Sequence, residues 1–324
     1  MSRRETIEHR RSVRGYAYIG TAAFLWGISA TLGRGAFTGR WFAGGRALRP
    51  IDPLVLSQCR TGFAFLVFLP IFLAKRGWRG VRLPARDFGR MLLLGIFGVA
   101  ASNYAYYLAI QRTNVATAII VQYTAPVWVL IYMVARRLQR ATLPRVAAVA
   151  LALTGTALVT GLFGSGGLRL DAIGIAAALC AAFSFAFYNI GGHSMLARYD
   201  HWMVLLYTTL TASLFWIVID PPWKIVAGHY SGEQWLFLFG FSMISVLAAF
   251  AFYFAGLRHL EPTRAIIASC LEPVFSIVLA AIALGEVLRG LQGLGIVLVL
   301  GAIVVVQIPD RKTHEPAMVV EPVD

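Results

Sequence analysis

One carboxylate stands deep inside an apolar run. Glu272 lies about nine residues, or about 13 Å at helical rise, from the end of its run. An unpaired ion at that depth in lipid costs several kcal/mol, so Glu272 must be protonated, paired or facing water. It is either a proton-coupling or ammonium-binding group, or a structural one that bonds a helix interrupted by Pro273. Arg60 lies inside a second run. Its guanidinium pairs with Glu272, binds a substrate carboxylate, or reaches the interface along its apolar stem. Pro126 and Pro273 both stand mid-run and each frees the carbonyl four residues back, at Gln122 and Ser269. In lipid those groups must be met by protein or water. The two kinks therefore either line a polar cavity or serve as fixed bends. Asn103 and Asn189 sit at similar depth, with Ser102, His193 and Ser194, and orient a polar ligand or bond between helices. Trp26 and Tyr123, with Tyr104, Tyr107, Trp128 and Tyr188, form a stacking or cation–π box, or pack the core.

These residues need elements to hold them. Of 324 residues, 58% are hydrophobic and 14% charged, against about 45–50% and about 25% in a soluble domain. Ten apolar runs cover 16–36, 52–73, 88–110, 114–135, 143–163, 172–196, 202–220, 234–257, 263–285 and 287–308. Each has the length of a membrane-crossing helix. Open strands cannot span lipid, and the short alternation of barrel strands is missing. The fold class is an all-α polytopic membrane protein of ten transmembrane helices. The first run is too long for a signal-peptide core, so it is read as an uncleaved span.

The net charge of +14 lies in short segments between the runs, which follows topology and argues against nucleic acid. With the N-terminus inside, 20 of the 29 Lys and Arg residues fall in inside segments, seven outside, and Arg34 and Arg60 within spans. That bias puts both termini in the cytoplasm. The tails, 1–14 and 309–324, are polar and expected to be poorly ordered. Cys59, Cys180 and Cys270 read as free thiols inside apolar runs, without metal spacing.

The chain also repeats. Shifted by 147 positions, Tyr106, Ala118, Ile119, Ile120, Pro126 and Val127 land on Tyr253, Ala265, Ile266, Ile267, Pro273 and Val274. Asp52 and Asp200 each open the second span of a half. Two five-span repeats, 15–163 and 172–308, follow. Five is odd, so the second is inverted, an arrangement that favours a midplane site and alternating access.

Leu25-Trp26-Gly27, Cys59-Arg60, Leu271-Glu272-Pro273-Val274 and Leu284-Gly285-Glu286 together resemble the EamA-type transporters of the drug/metabolite superfamily. The resemblance implies ten helices in two inverted halves in the bacterial cytoplasmic membrane, and export of amino acids, related metabolites or drugs. The first half departs from the pattern: Arg136-Arg137-Leu138-Gln139 replaces the Gly-Glu after the fourth span. No nucleotide-binding, zinc-protease or hydrolase motif is present, so the expected protein is no enzyme, uses no cofactor, and draws on a gradient, with protons as the candidate ion. Its expected partners are a small-molecule substrate and the lipid bilayer. An intramembrane lipid-modifying enzyme and a channel are the competing readings. Substrate, direction and oligomeric state are not written in the sequence.

Overall fold

The computed structural model describes residues 3–38, 50–77, 81–113, 115–161, 171–284 and 290–308. These residues form helices and turns, with no strand among them. The chain runs through α1 (Arg3–Thr38), α2 (Pro53–Arg76), α3 (85–112), α4 (Val115–Gln122), α5 (Ala125–Ala135), α6 (Leu143–Val159), α7 (Ala172–Leu196), α8 (His201–Ile219), the short α9 (Pro222–Ala227), α10 (232–257), α11 (Pro262–Ser269), α12 (Leu271–Leu284) and α13 (Gly290–Val305). Among the described residues, seven helical stretches are long and apolar enough to cross a membrane, counting α4 with α5 and α11 with α12 across their breaks, and α6 and α13 are shorter apolar helices.

Three sequence expectations change. Residues 3–14 are not a loose tail: α1 runs through them. Their Arg, Glu and Ile residues suit a helix, and neither Pro nor Gly interrupts them before Gly15. The fifth run ends at Val159, before its expected limit. The mid-run prolines do more than bend their helices. The chain leaves helix at Tyr123–Thr124 and at Cys270, and Pro126 and Pro273 then sit in the first turns of α5 and α12. A first-turn proline loses no hydrogen bond, because its missing N–H has no partner there. Hydroxyls meet carbonyls at both breaks: Thr124 Oγ1 donates to Val121 O and Ser269 Oγ to Ile266 O, each at 2.7 Å. The 309–324 tail and the Gly285-Glu286 motif lie outside the described residues.

Two π-helical stretches, Leu94–Ala100 in α3 and Met243–Ala248 in α10, have no counterpart in the sequence reading. They begin 149 positions apart, close to the repeat spacing. Asp52 and Asp200 share a role as well: each caps its helix, accepting from Leu54 N at 2.7 Å and from Trp202 N at 2.9 Å.

Packing pairs α1 with α10 and α12, α3 with α7, α2 with α8, and α6 with α13. The second helix of each half runs antiparallel to its counterpart, with Arg76 paired to Asp200 and Phe68 near Trp202. The fifth helices cross antiparallel too, Gly155 meeting Val299 while Val159 meets Gly295. A Cβ on Gly155 would stand 2.8 Å from Gly295 O, so only glycine permits this approach. Gly27 does the same for α1: a Cβ there would lie 2.8 Å from Phe275 Cβ and 3.0 Å from Ser276 N. That contact brings Trp26 beside the break in front of α12. Gly293, on the same helix as Gly295, faces open space instead.

Candidate functional site

Eight candidate residues from six separate stretches of chain line one cavity of ≈110 Å³: Trp26, Arg60, Ser102, Asn103, Gln122, Tyr123, Tyr188 and Glu272. The helix breaks set it up. Tyr123 stands at the first break and Glu272 just beyond the second, and the Tyr123 hydroxyl donates to Glu272 Oε2 at 2.7 Å. One charge-compatible bond thus ties the two interrupted helices together across the halves.

Arg60 does not pair with Glu272, as one sequence reading expected. Its guanidinium donates to Tyr107 Oη and to Ser245 O, each at 3.3 Å, and lies 5.8 Å from the Phe241 ring centroid. Its Nε is buried without a partner. Arg60 is 9% exposed, which excludes a side chain reaching out to the interface. The Ser245 carbonyl also accepts from Trp26 Nε1 at 3.2 Å. Ser245 lies in the π stretch of α10, where the regular ladder is interrupted, so a backbone oxygen there serves two side chains.

The opposite wall is aromatic. Trp26 meets Phe250 at 5.2 Å and 72°, and Phe250 meets Tyr188 at 5.5 Å and 82°. Both are edge-to-face arrangements. Phe185, Tyr106, Gly98 and Val99 complete the lining. The cavity therefore offers a carboxylate, a guanidinium, two amides and an aromatic wall. Its volume is below the about 300–1,000 Å³ of ordinary ligand sites, so a substrate larger than a few water molecules enters only if a wall moves.

Other candidates fall elsewhere. Asn189 is fully buried and its amide donates to Tyr253 Oη, outside the cavity lining. Ser269 is buried in its own helix turn. Tyr104 packs on Trp216 and Trp128 on Phe183. His193 Nδ1 meets Leu257 O at 3.1 Å. Tyr106, Phe185 and Phe250 escaped sequence reasoning. Tyr106 alone had a signal, its identity with Tyr253 in the repeat. The described residues contain no group of three or more His, Cys, Asp or Glu suited to a metal.

One end of the bundle is knitted by polar bonds between the halves. Asp87 accepts from Tyr199 Oη at 2.7 Å and Arg198 at 3.4 Å, and also from Arg90 of its own helix at 2.8 Å. Burial and that bond to Asp87 push the Tyr199 phenol above its ordinary pKa. Gln139 donates to Glu261 at 2.9 Å and accepts from Thr263 at 2.7 Å. Arg145 stands 3.7 Å from Glu261. Gln139 occupies the register of Glu286, so the departure from the family pattern is a bonded residue here. At the other end, Gln292 Nε2 donates to Val159 O at 3.3 Å between the halves.

The family model of the EamA-like transporters matches residues 13–161 and again 172–308. YicL of Salmonella typhimurium, an uncharacterized inner membrane transporter, is 23% identical over 234 residues, 72% of this chain and 77% of its own. An uncharacterized transporter of Bacillus subtilis, YxxF, is 27% identical, covering 77% of this chain and 79% of its own. An uncharacterized transporter of Archaeoglobus fulgidus is 24% identical, with 78% and 86% covered. One crystal structure superposes with a TM-score of 0.71 at 21% identity, spanning 92% of this chain and 96% of that one, and so shares the fold.

Proposed function

The chain belongs to the EamA-like transporter family, and from that premise we propose a secondary active transporter that exports small zwitterionic metabolites, aromatic or amphipathic amino acids foremost. The observation that carries the reading is the lining of the central cavity. Glu272 supplies an acceptor for an ammonium group, Arg60 a donor for a carboxylate, and Trp26, Tyr188 and Phe250 an apolar wall. The transporter relatives point away from an enzyme.

The proposed architecture is ten spans in two inverted five-helix repeats, 15–163 and 172–308. It is supported by the antiparallel pairing of the second and of the fifth helices, and by breaks and π stretches recurring near the same shift. In the proposed orientation the basic end, with both termini, faces the cytoplasm of a bacterial inner membrane. The bonds around Asp87 and Gln139 then close the cytoplasmic side, and substrate loading requires that they open. Protonation of Glu272 is the proposed coupling step, with Tyr123 as the partner it releases.

Counterflow tests this with purified protein in proteoliposomes, using a panel of amino acids, their decarboxylated amines, their amides and nucleosides. The expected result is saturable exchange of amino acids with large side chains and weak exchange of analogues lacking either charge. Exchange of amines and amino acids at equal rates would remove Arg60 from the site. An imposed pH gradient should drive wild type and not Glu272→Gln. A variant with full gradient-driven rates defeats the coupling role.

A further inference from the structure

A second cavity, of ≈750 Å³, opens on the flank of the bundle between α1, α2, α8 and α10. Its floor is one face of α10, where Ala248, Ala251 and Ala255 leave a trough between larger neighbours. From Met243 to Arg258 the trough runs about 22 Å at helical rise, more than the about 15 Å of one hydrocarbon leaflet. Nearly all of the lining is apolar. Polarity gathers at one end, in His201, Arg258 and His259.

The carboxylate nearest that end, Asp200, acts on His201 but is already paired with Arg76 and caps α8. Among the described residues no acidic group pairs with the Arg258 guanidinium. His201 Nδ1 is buried with no hydrogen-bond partner. His259 stacks on Tyr18 at 6.0 Å, and Arg11 and Arg14 lie close enough, with Arg258, to act on its imidazole. A groove of similar size, ≈720 Å³, flanks α3, α5 and α7 and also ends on two arginines, Arg90 and Arg198. Asp87 answers both of those. The grooves match in size and apolar body and differ in uncompensated charge.

We propose that the α1–α2–α8–α10 groove binds an anionic phospholipid from the leaflet at the basic end. One acyl chain lies along the alanine trough, and the phosphate takes Arg258 with the His201 and His259 rings. Basic pockets between membrane helices recognise anionic headgroups in this way. A zwitterionic lipid also carries a phosphate but brings its own cation to an end that already holds Arg258, with Arg11 and Arg14 nearby, and a free anion has no use for a long apolar trough. The site lies apart from the central cavity, so it stands whether or not the proposed substrate is right.

Native mass spectrometry of delipidated protein tests it, with phosphatidylglycerol and phosphatidylcholine of matched chains and glycerol 3-phosphate as headgroup alone. The expected result is a one-to-one phosphatidylglycerol adduct retained about tenfold over phosphatidylcholine, a difference of about 1.4 kcal/mol, and not displaced by glycerol 3-phosphate. Arg258→Gln should abolish the preference. Ala251→Trp, which fills the trough and keeps Arg258, should abolish the adduct, while Leu93→Trp in the second groove should not. Equal retention of both lipids, displacement by glycerol 3-phosphate, persistence of the preference in Arg258→Gln or of the adduct in Ala251→Trp, or replacement of the adduct by a second copy of the chain would each overturn the proposal.

Discussion

Replacing Glu272 in two ways separates its structural role from its transport role. The side chain accepts one hydrogen bond, from the Tyr123 hydroxyl at 2.7 Å. Gln is nearly the same shape, and its amide oxygen still accepts that bond. Leu removes the acceptor and leaves a hydroxyl that is otherwise buried, with Tyr123 only 7% exposed. An orphaned buried donor costs about 1–3 kcal/mol in soluble proteins, whereas hydrogen bonds between membrane helices average about 0.6 and reach about 1.7 kcal/mol. The lipid setting decides between the ranges, because the unfolded helices also find partners there. The expected coupling between positions 123 and 272 is therefore about 0.6–1.7 kcal/mol. Thermal unfolding in one detergent, over wild type, Tyr123→Phe, Glu272→Leu and the double variant, reads it out as a cycle. Glu272→Leu should melt lowest, adding Tyr123→Phe should recover part of the loss, and Glu272→Gln should melt near wild type. Glu272→Gln should nonetheless lose gradient-driven transport. If Gln and Leu melt alike and the cycle closes with no coupling, the bond does not join the two helix breaks, and the argument for a shared site there fails.

Arg60→Gln should raise KM for amino acids at least tenfold and leave uptake of decarboxylated amines unchanged; equal effects on both classes would mean that Arg60 only props the wall. Gly155→Val puts side-chain atoms where a Cβ alone already stands 2.8 Å from Gly295 O, and overpacking of this kind costs about 1–3 kcal/mol, so its melting temperature should fall while Gly293→Val, in open space, changes little. Asp200→Ala removes the cap of α8, a loss of about 0.5–2 kcal/mol, visible as lower thermal stability that Asp200→Asn largely restores. Burial first, then Arg258, Arg11 and Arg14, hold the His259 imidazole below its ordinary pKa. Its folded form stays neutral while the unfolded chain takes up a proton, so its contribution is whole above about pH 6.5 and is lost as the pH falls towards the folded pKa. Melting curves at pH 7.5 and 5.5 should show a smaller acid loss in His259→Gln than in wild type.

Much of this site was legible because lipid makes polar residues conspicuous. Glu272, Arg60, Asn103 and Gln122 stand out in apolar runs, and all four line the cavity. The prolines marked the breaks to within a few residues. Aromatic residues were harder to sort, since Phe185 and Phe250 look the same in sequence as Phe183 and Phe252, and only the helix faces distinguish a cavity wall from a lipid-facing surface. Asn189 misled for the reverse reason: it is polar and deep, but it is fully buried away from the cavity, its Nδ2 spent on Tyr253 Oη and its Oδ1 without a partner. The π stretches left no trace, because Leu94–Ala100 and Met243–Ala248 read as ordinary apolar segments. With the second of them unseen, the two donors on Ser245 O could not be foreseen either.

That oxygen has a consequence for how ligand contact spreads. Trp26 and Arg60 draw on the same electron density, so each weakens the other's hold. A guest carboxylate that lures the guanidinium away leaves the indole as sole claimant and tightens it. Occupancy on the charged side is thereby felt on the aromatic side as added rigidity, with no helix displaced.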